Sequence, residues 1–230
     1  MDTLTSPPVA DVLARLFDEA KAADGPLEAQ WSEAMGDNSD EIANLLALEA
    51  ADYRGVYHGF ADNYLNVSAE FGRFLYICAR ARRATHIVEF GTSFGVSTIY
   101  LAVALRDSGG GQLISTELEP AKAARAQENL AAAGLAGVAE IRVGDALETL
   151  SDGIGDNVDL VLLDGAWSLY LPVLKLLEPH LSPGALVIAE NALDESGDYL
   201  NYVGNSDNGY RTIALPFEPG RGNQLSVRTT

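Results

Sequence analysis

Asp164 closes the apolar run VDLVLLD, and Glu190-Asn191 closes LVIAEN. Two carboxylates and an amide oxygen make a hard oxygen donor set, suited to Mg²⁺ or a similar divalent cation. Such an ion lowers the pKa of a bound hydroxyl and fixes the attacking oxygen. Three more acids sit at the ends of apolar runs: Glu89 in HIVEF, Glu117 after LIST, and Asp145 after IRVG. A glycine-bracketed loop, Gly91-Thr92-Ser93-Phe94-Gly95, follows Glu89 and leads into an apolar helix pattern.

These residues need strands to carry them. His86–Phe90, Gln112–Thr116, Ala139–Val143, Val158–Leu163 and Ala185–Ala189 read as parallel strands, because their near-continuous apolar character fits burial on both faces. Helices are predicted between them at about Val96–Arg106, Pro120–Ala133 and Ser168–Leu181, with Pro120 and Gly134 as punctuation. TIALPF and QLSVRT, joined by EPGRGN, predict an antiparallel hairpin at the end of the sheet. The fold class is therefore α/β, a Rossmann-like doubly wound sheet, mostly parallel, with a C-terminal antiparallel hairpin. Residues 1–82 read as an N-terminal helical cap, broken at Gly25-Pro26, with a last helix over Ala69–Arg82. Residues 83–230 form the ligand-binding unit.

Ligands of open α/β sheets lie beyond the carboxyl ends of the strands. The spacing E-x-G-x-x-x-G differs from the dinucleotide fingerprint G-x-G-x-x-G, which argues against a nicotinamide oxidoreductase. A carboxylate two residues before the first glycine repels a pyrophosphate but suits a ligand with a free ammonium group. S-adenosylmethionine is such a ligand. Gly91 and Gly95 would let it approach the backbone. Glu117 would accept the ribose hydroxyls, and Gly144, Asp145 and Ala146 would face the adenine edge.

On these residues, with LNVSAEFGRFL, VEFGTSFGVST, LISTELEP, VGDALETL, LLDGAWSLYLP and LVIAEN, the chain resembles the class I S-adenosylmethionine-dependent methyltransferases. It is most similar to the small catechol/caffeoyl-CoA type O-methyltransferases, over roughly residues 60–230. The resemblance implies methyl transfer to an oxygen of a small, aromatic acceptor with metal assistance. It places Asn66, Val67, Glu89, Gly91, Thr92, Ser93 and Ser97 at the methionine end of the cofactor and Glu117 at the ribose. It assigns the cation to Asp164, Glu190 and Asn191.

Two positions depart from the family pattern. Glu190 replaces the usual Asp and reaches one methylene farther. Trp167 stands where the family has a lysine base, three residues after Asp164. Trp167 could instead pack on adenine or close the acceptor side. With that lysine gone, His58 in VYHGFADNYLN is the candidate base, since a neutral imidazole suits that role near neutral pH. The same departure leaves room for metal-free N-, C- or O-methylation, or for a non-catalytic adenosyl-binding module.

A net charge of −18 opposes a phosphate-backbone partner, so no nucleic acid is expected. No apolar run is long enough to span a bilayer, and no secretory signal is visible at the start. A single cysteine, Cys78, rules out a disulfide within the chain. These features favour the cytoplasm and a small-molecule partner, with the N-terminal helices available as a homodimer face.

Overall fold

A computed structural model describes residues 3–35, 39–192, 197–216 and 222–230. Its centre is a seven-stranded sheet in the order β3-β2-β1-β4-β5-β7-β6. The strands are β1 (His86–Phe90), β2 (Gln112–Glu117), β3 (Ala139–Val143), β4 (Val158–Leu163), β5 (Leu181–Ala189), β6 (Tyr210–Ala214) and β7 (Gln224–Arg228). The first five are parallel, and β7 runs antiparallel to both β5 and β6. The doubly wound sheet and its terminal hairpin are thus as the sequence predicts, although 217–221 of the connection lie outside the described residues. Strand order reverses between β1 and β4, so a crevice opens beyond Phe90 and Leu163.

Alternation along the strands sorts side chains onto two cores. Ile87, Leu113, Leu160, Leu162 and Ile188 face α1 (Val9–Met35), α3 (Ala69–Arg82), α4 (Val96–Asp107) and α5 (Pro120–Ala132). Val88, Phe90, Val161, Leu163 and Val187 face α6 (Ala146–Thr149), α7 (Tyr170–Leu177) and α8 (Asp198–Gly204). Glu89, between Val88 and Phe90, therefore points at α4.

The predicted break at Gly25-Pro26 is corrected: α1 runs through Pro26 as one 27-residue helix. Its first half is anchored in the core by Val9, Val12, Leu13 and Leu16, and tertiary packing overrides the local proline signal. The sharper bend lies in α2 (Ser39–His58), where Asp52 is non-helical at φ −152°, ψ 67°. Asp52 Oδ1 accepts the Gly55 N–H at 3.0 Å, so it caps a fresh turn that carries Tyr53, Arg54 and Tyr57. A Cβ on Gly55 would sit 2.2 Å from the Asp52 carboxylate, so any larger residue would push that capping side chain aside.

β5 also starts four residues before the predicted Ala185. Pro183 and Gly184 sit where its pairing with β4 jumps from Val158↔Leu181 to Leu160↔Leu186. A bulge absorbs both strand-breaking residues. The helix predicted over Ser168–Leu181 is correspondingly shorter: 3₁₀ turns at Trp167–Leu169 and Glu178–His180 flank α7.

Candidate active site

The β1–α4 loop is shaped by backbone crowding. Gly91 adopts φ +103°, and a Cβ there would lie 2.1 Å from the Asp164 carbonyl oxygen. Glycine is needed because the end of β4 presses on this loop, a contact fixed by the 2.8 Å bond from Asp164 N–H to the Phe90 carbonyl. Gly95 adopts φ +89° at the start of α4 and packs on Ala126. A Cβ there would lie 3.3 Å from that of Ala126, so the close approach it makes in the protein is to α5.

Glu89 is fully buried. Its Oε2 accepts 2.6 Å bonds from Thr98 Oγ1 and Ser115 Oγ, while Oε1 has no partner. Burial pushes its carboxyl up to about 7, against the pull of Ser115, Ser97 and Thr98. An orphaned carboxylate oxygen of this kind suits a cationic ligand group. Thr92 lines the crevice, but its hydroxyl is engaged by Ser115 Oγ at 2.5 Å.

Glu117 ends β2. Its Oε2 accepts the Ser93 N–H at 2.6 Å and its Oε1 the Glu119 N–H at 2.9 Å, and burial raises its pKa. Two recesses share Glu117 and Gly91. One, of about 70 Å³, is lined by Asn66, Thr92, Ser93, Ser97, Lys122 and Asp164 among others. The other, of about 60 Å³, is lined by Tyr53, Thr116, Gly144, Asp145, Ala146 and Leu169 among others.

Asp145 has a different job from the one expected. Its Oδ1 caps α6 through Leu147 N–H at 2.8 Å, and its Oδ2 receives the Tyr53 hydroxyl and Arg54 Nη2. Burial raises its pKa, but these donors together hold it below the ordinary value. The carboxylate thus ties α2 to the start of α6, beside the recess that Gly144, Asp145 and Ala146 line.

Beyond β4 and β5 a third cavity, of about 540 Å³, is lined by Asp164, Trp167, Tyr170, Glu190 and Asn191. The two strand ends thus converge as predicted. Glu190 N–H bonds the Leu163 carbonyl at 2.9 Å, and Asn191, at φ +53°, is pinned by Asn223 Oδ1 at 3.0 Å. Burial, then the Asp164 and Glu190 charges, push the Tyr170 hydroxyl up. Burial, Glu49, Asp164 and Glu190 do the same to Tyr57. Two carboxylates and an amide fit a hard cation, although no group of three or more His, Cys, Asp or Glu is found among the described residues. Phe17, Leu27, Leu45, Val56 and Phe60 supply an apolar opposite wall.

Three predicted residues fall elsewhere. Trp167 lines the large cavity and is not among the residues around the Asp145 recess. Val67 is buried in the core, and only its carbonyl is engaged by Asn66 Nδ2. His58 does not line the large cavity. Its side chain is 78% exposed and pairs with Glu119 at 3.0 Å. That placement gives no support to its expected role as base.

Further residues, outside the predicted site set, come from the helices. Tyr57 lines all three cavities and donates to the Gly165 carbonyl at 3.1 Å. Asp24 of α1 accepts the Tyr64 and Leu65 N–H groups, both at 2.8 Å, and so fixes the segment that carries Asn66. Buried Glu49 accepts from Ser168 N–H and Oγ, which ties α2 to the turn after Asp164. No periodicity marks these contacts. Only an acid placed within an otherwise apolar helix face hints at Glu49.

A family profile described as a methyltransferase domain matches residues 88–192. A catechol O-methyltransferase of Mycobacterium tuberculosis is 32% identical over 164 residues, 71% of this chain and 69% of that protein. One from Niastella koreensis is 33% identical over 132 residues, 56% of this chain, and the match spans 59% of that protein's own length. Among solved structures, a cofactor-bound protein from MTB superposes with TM-score 0.66 at 27% identity, over 89% of this chain and 97% of that one. The O-methyltransferase TomG of Streptomyces achromogenes, in complex with S-adenosylmethionine, gives 0.64 at 25%, over 92% and 99%. By strand order, acidic strand ends and these relatives, the chain belongs to the class I S-adenosylmethionine-dependent O-methyltransferases of the catechol and caffeoyl-CoA type.

Proposed function

We propose that the protein moves the methyl group of S-adenosylmethionine to an oxygen of a small aromatic acceptor, with a divalent cation at Asp164, Glu190 and Asn191. The observation that supports this most is the seam at Asp164, Gly165 and Tyr57, where the Ser93–Ser97 recess meets the large cavity. A donor along β1 and β2 and an acceptor over β4 and β5 would meet there.

In this reading Glu89 Oε1 takes the cofactor's ammonium and Glu117 its ribose hydroxyls. The Tyr53–Arg54–Asp145 clamp loosens to admit the adenine ring into its narrow recess. The apolar wall from α1 and α2 selects a flat acceptor and excludes water. The cation would lower the acceptor hydroxyl's pKa and hold its oxygen in place. The reaction breaks the S–CH₃ bond, forms an O–CH₃ bond and releases one proton. Trp167 has no basic atom to take that proton, so it leaves to solvent rather than to a dedicated lysine.

Trp167 also favours a second reading, in which the same fold methylates by positioning alone, without metal. Turnover of a catechol panel, with and without chelator, separates the two. Loss of activity in chelator, restored by Mg²⁺, is expected. Full activity in chelator overturns the metal assignment.

A further inference from the structure

A further cavity, of about 610 Å³, lies behind Trp167 and apart from the three described above. Leu46, Glu49 and Ala50 of α2, Leu171 and Pro172 of α7, and Leu200 of α8 line it. Trp167 and Tyr170 line both this cavity and the large one, so together they form the wall between the two. Ala192, the residue after Asn191, also lines it, which sets the cavity beside the proposed cation site.

The two residues of the wall differ. Tyr170 is 2% exposed, its ring packs edge-on against Phe90 and Tyr199, and its hydroxyl donates to the Glu190 carbonyl at 2.7 Å. Trp167 is half-buried, and its indole makes no hydrogen bond to a described residue. Its indole is therefore the face of the wall along which a ligand would lie.

The polar content of the cavity is specific. Glu49 is 1% exposed, and its carboxylate accepts the Ser168 N–H at 3.2 Å and the Ser168 hydroxyl at 3.1 Å. Both are neutral donors, and burial raises its pKa against their pull. Lys175 offers the cavity only its aliphatic stem. Its ammonium is engaged by Glu178 at 3.2 Å and stands 3.5 Å from the centre of the Tyr202 ring, and neither of those residues lines the cavity. A largely apolar chamber with one buried carboxylate suits an apolar group that ends in a hydrogen-bond donor.

We propose that this cavity is a second chamber of the acceptor site, which takes the apolar tail of an extended acceptor along the Trp167 indole and the tail's terminal donor at Glu49. The inference rests on the acceptor reading above. A compact catechol would occupy the large cavity alone, whereas a tailed one would occupy both.

Initial rates with catechol and with 4-alkylcatechols of increasing chain length, each tail ending in methyl, hydroxyl or ammonium, test this. KM should fall about threefold per methylene until the chamber is filled and then level off. The kcat should stay nearly constant, because the reacting ring is held alike throughout. A hydroxyl or ammonium end should lower KM about 10-fold further at the length that reaches Glu49, and not at shorter lengths. Comparison of those two ends tells a neutral donor from a charged one. Ala50 is exposed and lines neither recess nor the large cavity, so Ala50→Phe fills the second chamber from α2. It should raise KM for long acceptors about 10-fold relative to catechol. A KM that ignores tail length, that falls equally in Ala50→Phe, or that is the same for methyl and donor ends at every length overturns the proposal. If Ala50→Phe fails to fold, the length and end-group series on the unaltered protein decides alone. Absence of turnover with catechol and every tailed derivative would instead refute the acceptor reading itself, and the second chamber with it.

Discussion

Replacing Glu89 by Gln should make the ligand-free protein more stable above neutral pH and weaken its hold on the cofactor. The side chain is fully buried, with one carboxylate oxygen unpartnered, and burial raises its pKa from an ordinary 4.5 to about 7. The unfolded chain ionises this group near 4.5 and the folded chain near 7. Between those values the folded state holds a proton that the unfolded state has lost. Stability from this group is therefore full below pH 4.5, falls as pH rises towards about 7, and is flat beyond. The gap corresponds to about 3 kcal/mol, an upper figure. Gln lacks this loss. It keeps an acceptor for Thr98 and Ser115, and it places a neutral amide where the orphaned oxygen stood. Melting temperatures of the two proteins should therefore diverge by several degrees between pH 5 and 8.

A bound ammonium beside Oε1 reverses the balance by favouring the carboxylate. At pH 7 about half of the Glu89 side chains are protonated without ligand, so binding should release up to roughly half a proton. Titrations in two buffers of different ionisation enthalpy count that proton, and the difference from Glu89→Gln removes the ligand's own ionisation. Equal proton counts for the two proteins, with parallel melting curves against pH, would refute the reasoning.

Glu117→Ala should weaken S-adenosylhomocysteine about 100-fold or more by calorimetry, because it removes two charge-assisted bonds to the ribose and frees the Ser93 N–H. Affinity within threefold of the unaltered protein would remove its ribose role. Trp167→Lys should shift the rising limb of the pH–rate profile downwards by supplying a base beside the acceptor, and an unmoved profile contradicts that. His58→Ala should leave kcat within about twofold, since its side chain is exposed and paired with Glu119. A tenfold fall at neutral pH would restore it as a base.

The parts that were legible in the sequence are those dictated by period and punctuation. Val158–Leu163 and the acid at its end, the loop from Gly91 and the final hairpin all declare themselves locally. The acidic strand ends meet because parallel strands share a direction, and that follows from topology alone. What local pattern could not reveal depends on distant partners. Pro26 stays helical because the residues before it are anchored in the core. Asp145 looked available until Tyr53 and Arg54 arrived from 92 and 91 residues away.

The contact between Gly91 and the Asp164 carbonyl has a consequence for how such an enzyme can diversify. The Ser93–Ser97 recess and the large cavity share this strand end, together with the side chains of Tyr57, Leu65 and Asn66. In the proposed reading, the spacing of donor and acceptor is therefore set by the sheet and by those three residues. Acceptor range could then drift through Leu27, Leu45 and Val56 of α1 and α2, which line the large cavity and not the recess. Substrate preference and reaction geometry are therefore separately heritable, and a new acceptor can be gained without re-registering the chemistry.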